Sequence, residues 1–353
     1  MNTPAIQIER EPALLKAARM EKAGGTPQWF MRQAGRILPE YRKVRGKHSL
    51  LDICRNPELA AAVTMQPVER FDVDAAIIFA DIVTPLVGIG IDVQLVEKVG
   101  PVIDPPIRSE SDLERLRPLD PEQDVPYMLE ALRLVRNELP EAKALIGFAG
   151  APFTLATYLI EGGPSRNYAT TKAMMYGQPD LWHGLMSRLS DMIVAYLRAQ
   201  AGAGAQMLQL FDSWVGWLSP QDYRRYVFPY TREIISAVKA TGVPAIHFAT
   251  GSGGLNEVIR DSGADVIGLD WRVPLDEAWA SLGDVAVQGN LDPAVLLGPP
   301  DVVREQTLDV LKRAGGRSGH IFNLGHGFLP QTPIDNIMHM IDCVREWDAS
   351  HAA

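Results

Sequence analysis

Short apolar runs, each bounded by turn residues, recur along the chain and are separated by longer stretches. Eight such runs occupy residues 28–32, 75–81, 144–150, 206–213, 244–250, 265–271, 285–292 and 320–327. Near-continuous hydrophobicity in so short a run is typical of a parallel strand that is buried on both faces. The pattern therefore predicts eight parallel strands.

The stretches between these runs have the spacing of amphipathic helices. One apolar stripe returns at every fourth position, in Leu181, Leu185, Leu189, Ile193 and Leu197, and a second contains Ile234, Ile235 and Val238. Helix starts are marked where a capping residue precedes a proline, in NPE (56–58), SPQD (219–222) and TPID (332–335). Strands and helices are therefore predicted to alternate.

Eight strands alternating with helices predict an α/β fold, a single (β/α)₈ TIM barrel over residues 1–353 with 1–25 as an N-terminal extension. Residues 88–104 predict a hairpin inserted after the second strand. The competing fold is a doubly wound open sheet, which usually carries a glycine fingerprint for phosphate after its first strand; GIGIDVQ does not fit one. Length alone would also allow two domains, but no linker composition divides the chain.

Composition narrows the class of function. The 353 residues include 34 Lys and Arg against 43 Asp and Glu, a formal charge of −9, and 46% are hydrophobic. These values are typical of a globular protein, and the acid excess argues against general binding to nucleic acid. Cys54 and Cys343 form neither a disulfide framework nor a zinc-ligand pair, which suits a reducing cytosol. We expect no targeting segment and no membrane span, and therefore a cytoplasmic protein.

Polar residues stand at the ends of the predicted strands. In such a barrel the side chains at the carboxyl ends of the strands converge on one pocket. The residues at these ends are Arg32, Asp81, Asp212, Ser213, His247, Asp270, Asn290, Asp292 and His326. Together they predict a pocket rim.

The segment after the first strand is basic. Against a single acid, Glu40, residues 31–45 contain Arg32, Arg36, Arg42, Lys43 and Arg45. One interpretation is a solvated loop that pairs with neighbouring acids. The other is an anion-binding loop, because a guanidinium group binds carboxylates through paired hydrogen bonds and Gly35 would let the backbone turn tightly. Several cations in one loop favour a ligand with several negative charges.

Single residues at the strand ends are open to two interpretations. Asp81 is either a capping or loop acid, or a pocket carboxylate that stabilises a cation or accepts N–H bonds. His326 is either structural or presented to a ligand by its flanking glycines, and His247 is interpreted as a packed strand-end residue. A metal site built from Asp212, His247 and Asp270 lacks the spacing of known ligand motifs and is not favoured.

Several of these segments closely resemble the uroporphyrinogen decarboxylase family. The matching motifs are PQWFMRQAGRILPEYR (27–42), IIFADI (77–82), GFAGAPFTLATYLIEGG (147–163), FDSW (211–214) and NLGHG (323–327). They extend over nearly the whole chain, and the first and third are highly specific. Two departures are Ile37, where many members have Tyr, and Gln331, where many have Gly or another small residue. They bear on fine specificity rather than on the reaction.

The resemblance implies cofactor-free decarboxylation of the four acetate side chains of uroporphyrinogen III to methyl groups, giving coproporphyrinogen III and CO₂ in haem biosynthesis. It also implies a (β/α)₈ barrel, usually a homodimer, and no metal or organic cofactor. The implied catalytic residues are Asp81, Arg32 and His326. The implied substrate contacts are Arg32, Gln33, Ala34, Gly35, Arg36, Asp81, Tyr158, Ser213 and His326.

The chemistry of this reaction explains such a residue set. Loss of CO₂ leaves an electron pair that needs a sink, and protonation of a ring carbon turns the electron-rich pyrrole into an iminium-like cation that accepts it. The site must therefore hold an anionic macrocycle and stabilise a transient cation, the second task falling to Asp81 at the pyrrole N–H groups. The candidate proton donors are Arg32, whose guanidinium group is a poor acid, His326 and water.

Two other functions are alternatives to this one. A zinc- or corrinoid-linked methyltransferase of the same superfamily would need a His-x-Cys pair and a later Cys, whereas His247 is followed two residues on by Ala249. A non-catalytic tetrapyrrole-binding protein would keep the basic loop but would not need Asp81. The presence of Asp81, Tyr158 and His326 together favours the enzyme.

Overall fold

Parallel strands form the central sheet of the protein. The computed structural model describes residues 11–96 and 99–351. Its strands are β1 (Ala75–Ile77), β2 (Val93–Val96), β3 (Gly100–Ile103), β4 (Ala144–Gly150), β5 (Met207–Asp212), β6 (Ala245–Ala249), β7 (Val266–Gly268), β8 (Ala286–Gln288) and β9 (His320–Ile321). Seven of them form one sheet in the order β1-β4-β5-β6-β7-β8-β9, and every neighbouring pair is parallel.

Helices connect these strands and cover the sheet. They are α1 (Ala13–Ala18), α2 (Pro39–Arg45), α3 (Leu50–Arg55), α4 (Pro57–Phe71), α5 (Thr84–Gly88), α6 (Pro121–Asp124), α7 (Pro126–Glu138), α8 (Pro152–Glu161), α9 (Ala169–Gly177), α10 (Pro179–Gly202), α11 (Pro220–Tyr226), α12 (Phe228–Lys239), α13 (Asn256–Arg260), α14 (Leu275–Leu282), α15 (Pro300–Ala314) and α16 (Ile334–His351). Short 3₁₀ helices occupy Glu110–Arg115, Val215–Trp217 and Pro293–Leu297. Parallel strands joined through helices give a TIM-barrel-like fold. In the described part of the chain, no helix combines the length and the apolar character that crossing a bilayer requires.

The patterns of burial agree with the sequence. Every residue of β4, β6, β7 and β8 is buried, as expected for strands covered on both faces. The apolar stripes at 181–197 and 234–238 are the buried faces of α10 and α12. Asn56 and Ser219 cap α4 and α11, but α16 begins at Ile334, one residue later than TPID predicted. Helix ends are the least sharply determined part of such a pattern.

The first predicted strand, residues 28–32, is not a regular strand. Its first residue forms a single bridge, to Phe322. The backbone amide of Phe30 then donates to the side-chain oxygen of Gln33 at 2.9 Å instead of to a neighbouring strand. The ladder ends here because the chain turns at Arg32, whose φ of 59° lies in the left-handed region.

This segment nevertheless lies between the two edge strands of the sheet. The amide of Trp29 donates to the carbonyl of Phe322 (3.4 Å), which follows β9. On its other side, the amide of Asp74 donates to the carbonyl of Gln28 (2.9 Å) just before β1. Backbone hydrogen bonds therefore connect β9, residues 28–29 and the start of β1.

The predicted insertion and extension are described in part. Within residues 88–104, β2 and β3 pair antiparallel, with Val93 opposite Ile103; residues 97–98 between them lie outside the described residues. Residues 1–10 of the predicted N-terminal extension also lie outside the described residues. Later in that extension, α1 buries Leu14 completely against the core.

A buried histidine makes the stability of this fold depend on pH. One ring nitrogen of His320 bonds to the carbonyl of Gly289 at 2.8 Å, and burial lowers the pKa of His320 to about 4. In the unfolded chain its pKa is about 6.5, so between these values the unfolded state binds a proton that the folded state does not. Stability that is fully present above pH 6.5 is therefore lost as the pH falls towards 4, by about 3 kcal/mol for this group.

The replacement His320→Gln should remove this part of the pH dependence. Urea denaturation of both proteins at pH 7.5 and pH 4.5 measures it, since the variant should lose less free energy of unfolding on acidification. An equal loss in the two proteins would contradict the assignment.

Candidate active site

A cavity opens at the carboxyl ends of the parallel strands. Its volume is about 570 Å³. Much of its wall is apolar or aromatic, and includes Ile37, Tyr41, Phe79, Phe148, Tyr158, Phe211, Trp214, Phe248 and Phe328. An extended apolar wall of this kind accommodates the body of a large ligand, and the few polar groups on it determine which ligand binds.

Part of the basic loop faces this cavity. Arg32, Arg36 and Arg45 line it, whereas Arg42 and Lys43 do not. Three of the five cations in the predicted anion-binding loop therefore lie at the cavity, and their binding of an anion stays a prediction. The alternation arises because α2 begins at Pro39 and turns successive side chains by about 100°, so that only one face of the helix can meet the cavity.

Arg32 and Arg36, the loop arginines nearest the first predicted strand, have guanidinium groups that can pair with a ligand. Glu40, the acid of this loop, pairs instead with Arg70 at 2.6 Å. Within residues 11–96 and 99–351, neither Arg32 nor Arg36 forms an ion pair. Two unpaired guanidinium groups on an apolar wall favour the binding of carboxylates.

Gln33 points away from the cavity, unlike its neighbours Ala34 and Gly35, which line it. Its side chain is fully buried and donates to the carbonyl of Ala75 at 2.9 Å, while accepting the Phe30 amide. Gln33 therefore ties the basic loop to β1, and its side chain is not placed to contact a ligand.

Asp81 lies at the cavity wall just beyond β1. Its Oδ1 accepts the Val83 amide at 3.1 Å, which fixes the side chain in the turn before α5. Among the described residues that line the cavity, it is the only carboxylate. Burial raises the pKa of Asp81 above its ordinary value, and the positive charge of Arg32 acts in the opposite direction. The carboxyl group is thus held in place and largely removed from water before any ligand binds.

His326 lines the cavity from the NLGHG turn, with its ring against that of Trp271 (centroids 6.3 Å apart). Its Nδ1 accepts the Gly327 amide at 2.7 Å, so the proton of the neutral ring is on Nε2. Burial, and then the positive charges of Arg32 and Arg272, lower the pKa of His326 to about 4. At neutral pH the imidazole is therefore uncharged and can donate a hydrogen bond through Nε2.

Tyr158 of α8 and Ser213, which follows β5, also line the cavity. Burial raises the pKa of Tyr158 to about 12, so the phenol keeps its proton at neutral pH and can donate it in a hydrogen bond. The Tyr158 ring packs edge-to-face against Trp214 at 6.2 Å. The hydroxyl of Thr250 donates to the carbonyl of Ser213, which fixes the backbone where the strand ends.

Asp212 and His247 lie behind the cavity wall. Because side chains alternate along a strand, Phe211 and Ser213 face the cavity while Asp212 faces the helices. Both residues are fully buried, with Nε2 of His247 3.7 Å from Oδ2 of Asp212. The hydroxyl of Thr154 donates to Asp212 at 3.0 Å. Asp212 is therefore not part of the pocket rim, and His247 is a packed strand residue.

Three further strand-end residues hold the backbone rather than face a ligand. Asp270 accepts the amide of Arg272 at 2.8 Å and pairs with its guanidinium group at 2.6 Å. Asn290 donates to two backbone carbonyls, and Asp292 accepts the Ala294 amide at the start of a 3₁₀ helix. The metal site considered from the sequence is not formed, since no group of three His, Cys, Asp or Glu side chains in the described part of the chain is arranged to hold an ion.

The aromatic wall of the cavity was not predicted from the sequence. Phe148, Phe211 and Phe248 lie in series along β4, β5 and β6, with centroids 5.4 and 6.0 Å apart. The sequence did contain a signal, because Phe211 and Phe248 stand next to the strand-end residues Asp212 and His247. Alternation along a strand allows only one of two such neighbours to face the cavity.

The arrangement fits a ligand with an apolar body and several negative groups. Guanidinium groups supply the counter-charges, and the phenol of Tyr158 and Nε2 of His326 supply neutral donors. The desolvated carboxyl group of Asp81 is the opposite element, suited to N–H donors or to a positive charge inside the ligand.

Among solved structures, a methyltransferase from Methanosarcina mazei is similar, with a TM-score of 0.78 over 95% of this chain and 98% of that one. The two sequences are 19% identical, so the likeness concerns the fold alone. A B12-independent methionine synthase from Shewanella sp. W3-18-1 has a TM-score of 0.57 at 11% identity, over 84% of this chain and 87% of that one. Both likenesses agree with a TIM-barrel-like architecture.

Similarity in sequence shows the family, which similarity in fold does not. The sequence model of the family described as Uroporphyrinogen decarboxylase (URO-D) matches residues 9–347. The uroporphyrinogen decarboxylase of Thermus thermophilus is 54% identical over 333 residues, 94% of this chain and 97% of that protein. That of Streptomyces griseus is 55% identical over 340 residues, 96% and 93% of the two chains. The chain belongs to the uroporphyrinogen decarboxylase family.

Proposed function

We propose that this protein decarboxylates the four acetate side chains of uroporphyrinogen III to methyl groups, producing coproporphyrinogen III and CO₂ in haem biosynthesis without a cofactor. The observation that carries the proposal is the cavity itself. Among the described residues that line it, a single carboxylate, Asp81, faces an apolar space that is bordered by Arg32, Arg36 and Arg45. Relatives named uroporphyrinogen decarboxylase, at 51–55% identity over most of the chain, support the same reaction.

Asp81 accounts for the central step of this reaction. Protonation of a pyrrole ring carbon gives an iminium-like cation, the bond to the carboxyl carbon breaks, and its electron pair moves into the ring as CO₂ leaves. Protonation of the resulting exocyclic methylene gives the methyl group, and the ring carbon loses its added proton. A carboxylate already removed from water interacts strongly with the pyrrole N–H groups and with the transient cation, because it needs no reorganisation at that moment.

Each acetate that is lost consumes one proton overall, so the site needs a proton donor. His326 is uncharged at neutral pH because its pKa is about 4, which leaves Arg32 and water as the candidate donors. We assign His326 a different role, in which the Nε2–H group donates to a carboxylate or ring atom of the substrate. Arg32 and Arg36 bind the peripheral carboxylates, with Tyr158 and Ser213 as further donors.

This role of His326 predicts a graded loss of activity. His326→Gln, which retains an N–H donor, should lose less kcat/KM than His326→Ala, for which we expect about tenfold, the effect of one hydrogen bond. Since the ring is already uncharged, the dependence of kcat/KM on pH near pH 6.5 should be the same in the wild type and in His326→Gln. Loss of an ionisation in this pH range in the variant would instead make the imidazolium the proton donor.

The reaction itself is tested by anaerobic incubation of the purified protein with uroporphyrinogen III in the presence of EDTA. The products are oxidised and separated by the number of carboxyl groups. Stepwise appearance of species that end at the four-carboxyl coproporphyrin is the expected result. A folded protein that binds uroporphyrin but converts nothing, beside an active control enzyme, would favour a tetrapyrrole-binding protein.

We further propose a closed (β/α)₈ barrel in one domain, in which residues 28–29 act as the eighth strand and β2 and β3 form an inserted hairpin. The backbone hydrogen bonds on both sides of residues 28–29 support this closure. A single domain should unfold in one transition, with the same midpoint by circular dichroism and by tryptophan fluorescence.

The family resemblance also supports a cytoplasmic homodimer. For a homodimer, light scattering should give twice the 38.8 kDa mass of the chain.

A further inference from the structure

His326 is flanked by Gly325 and Gly327, and other segments of the chain pack closely against both glycines. A Cβ at Gly327 would lie 2.5 Å from Cδ of Arg32, so the Arg32 side chain packs directly on this glycine. A Cβ at Gly325 would collide with the backbone of Trp271. The NLGHG turn therefore approaches Arg32 at one of its glycines and the segment preceding Arg272 at the other, which side chains larger than hydrogen would prevent.

Arg272 is held in a defined position beside this turn. Its guanidinium carbon lies 3.8 Å from the centre of the Trp271 ring, and its Nη1 donates to Oδ2 of Asp270 at 2.6 Å. The Asp270 side chain is 1% exposed, whereas that of Arg272 is 53% exposed. An aromatic face and a buried carboxylate thus fix the plane of the guanidinium group, as they do in pre-organised anion sites.

The buried carboxylate does not consume all the donors of Arg272. Asp270 also accepts the amides of Gly251 and Arg272, so its oxygens are shared among several donors. In the described part of the chain, Nη1 is the one guanidinium nitrogen of Arg272 with a hydrogen-bond partner. Nε and Nη2 remain available on a half-exposed group, and paired donors of this geometry match a carboxylate.

Arg272 is also close enough to the cavity to act on it. It does not line the cavity, but the ring of the adjacent Trp271 packs against His326, which does. The positive charge of Arg272 contributes to the lowered pKa of His326, as does that of Arg32. Two guanidinium groups therefore lie near one neutral imidazole N–H donor.

We propose that Arg272 is an additional substrate-binding residue, which binds a peripheral carboxylate of the macrocycle at the edge of the cavity near His326. The proposal rests on the proposed function for the identity of the ligand, a polycarboxylated tetrapyrrole. Because the contact is made to a peripheral carboxylate and not to the reacting ring, it stabilises the ground state and the transition state alike. Its loss should therefore raise KM and leave kcat unchanged.

Arg272→Gln tests this with a matched control in the same chain. Arg317 also stacks on a tryptophan, with its guanidinium carbon 4.1 Å from the Trp279 ring, but that ring packs against His320 rather than against the cavity residue His326. We expect Arg272→Gln to raise KM about tenfold with kcat within about twofold, the effect of one charge-assisted hydrogen bond at a partly exposed site. Arg317→Gln should change neither constant. Arg272→Lys keeps the positive charge beside Asp270 but lacks the paired N–H donors of a guanidinium group. Its KM should therefore lie between those of Arg272→Gln and the wild type.

A binding measurement separates this proposal from the proposed function. Uroporphyrin III, which has eight carboxylates, is titrated into the protein, and its Kd is obtained from the change in tryptophan fluorescence. This measurement requires no turnover. Weaker binding by Arg272→Gln but not by Arg317→Gln supports the site even if the wild type converts no substrate, in which case only the reaction is wrong. If the wild type is active and Arg272→Gln and Arg272→Lys match it in both KM and Kd, the proposal is wrong. A variant that lowers kcat and thermal stability without changing Kd would also overturn it, since that is the result of a structural role.

Discussion

Asp81→Asn is expected to lower kcat for uroporphyrinogen decarboxylation about 10²- to 10³-fold, the loss typical when one preorganised electrostatic group is removed. The amide has nearly the same shape and can still accept the Val83 amide that holds the side chain. It lacks the negative charge that stabilises the cationic ring, so the effect should fall on kcat rather than on KM. The substrate also keeps its carboxylate contacts, because these involve other residues.

The pH profile provides a second measure of the same group. Burial raises the pKa of Asp81, and a protonated carboxyl group cannot stabilise a cation. Activity of the wild type should therefore fall with decreasing pH at a value above the ordinary carboxyl pKa of about 3.9, and this limb should be absent from the residual activity of Asp81→Asn. A bound cationic ring opposes the shift, so the limb should lie lower in kcat than in kcat/KM.

The control for Asp81→Asn is Asp292→Asn. Asp292 is also a strand-end carboxylate whose oxygen accepts a backbone amide, at 2.8 Å from Ala294, but it does not line the cavity. Its replacement should leave kcat within about twofold, as most substitutions away from a site do. Near-normal turnover by folded Asp81→Asn would end the assignment of the cation-stabilising role.

Arg32→Gln is the second large effect that we expect, a fall in kcat/KM of about 10²-fold. The guanidinium group has no acidic partner among the described residues and faces an apolar wall, so the substrate carboxylate supplies its counter-charge. Arg32 is exposed in the unliganded protein, and a macrocycle bound in the cavity would cover its charge pair. Truncating one side of a charge pair that is covered in this way costs about 2–5 kcal/mol, because the other charge is left unpaired. At about 1.4 kcal/mol per factor of ten, the lower half of this range corresponds to the stated loss.

Lys43→Gln removes one positive charge from the same loop at an exposed side chain that does not line the cavity. Steady-state kinetics at two salt concentrations distinguish the variants. Lys43→Gln should change kcat/KM only slightly and only at low salt, since an exposed charge is screened. Equal effects of the two variants would mean that the loop acts through its general charge rather than through a defined contact.

The strands were readable from the sequence because parallel strands are buried on both faces. Seven of the eight predicted runs contain a strand of the sheet, and the seven-residue β4 coincides with its run. The run at 28–32 is the exception. Its apolar residues are buried as predicted, but the Gln33 side chain replaces a neighbouring strand as the partner of the Phe30 amide. Hydrophobicity reports burial, and it does not report which group satisfies a backbone amide.

Residues of the cavity could be predicted from the sequence only where they lie in a motif that is specific to the family. The RQAGR, NLGHG and FDSW motifs contain Arg32, Arg36, Ser213 and His326, all of which line the cavity. Gln33, within the first of these motifs, is buried in the core instead. Position at a strand end was a weaker guide, since Asp212, Asp270, Asn290 and Asp292 all bond within the protein.

The sequence by itself determined the fold class, the family and the reaction that the family implies, because these depend on burial patterns and on motifs that are local in the chain. The tertiary structure decided which side chains share the cavity. Alternation along β5 and β6 turned Phe211 and Phe248 inwards and Asp212 and His247 outwards. Contacts between distant segments set the charge state of His326 and placed Trp271, the neighbour of Arg272, against its ring. Orientation and electrostatic environment depend on neighbours that are far apart in sequence, and no local pattern records them.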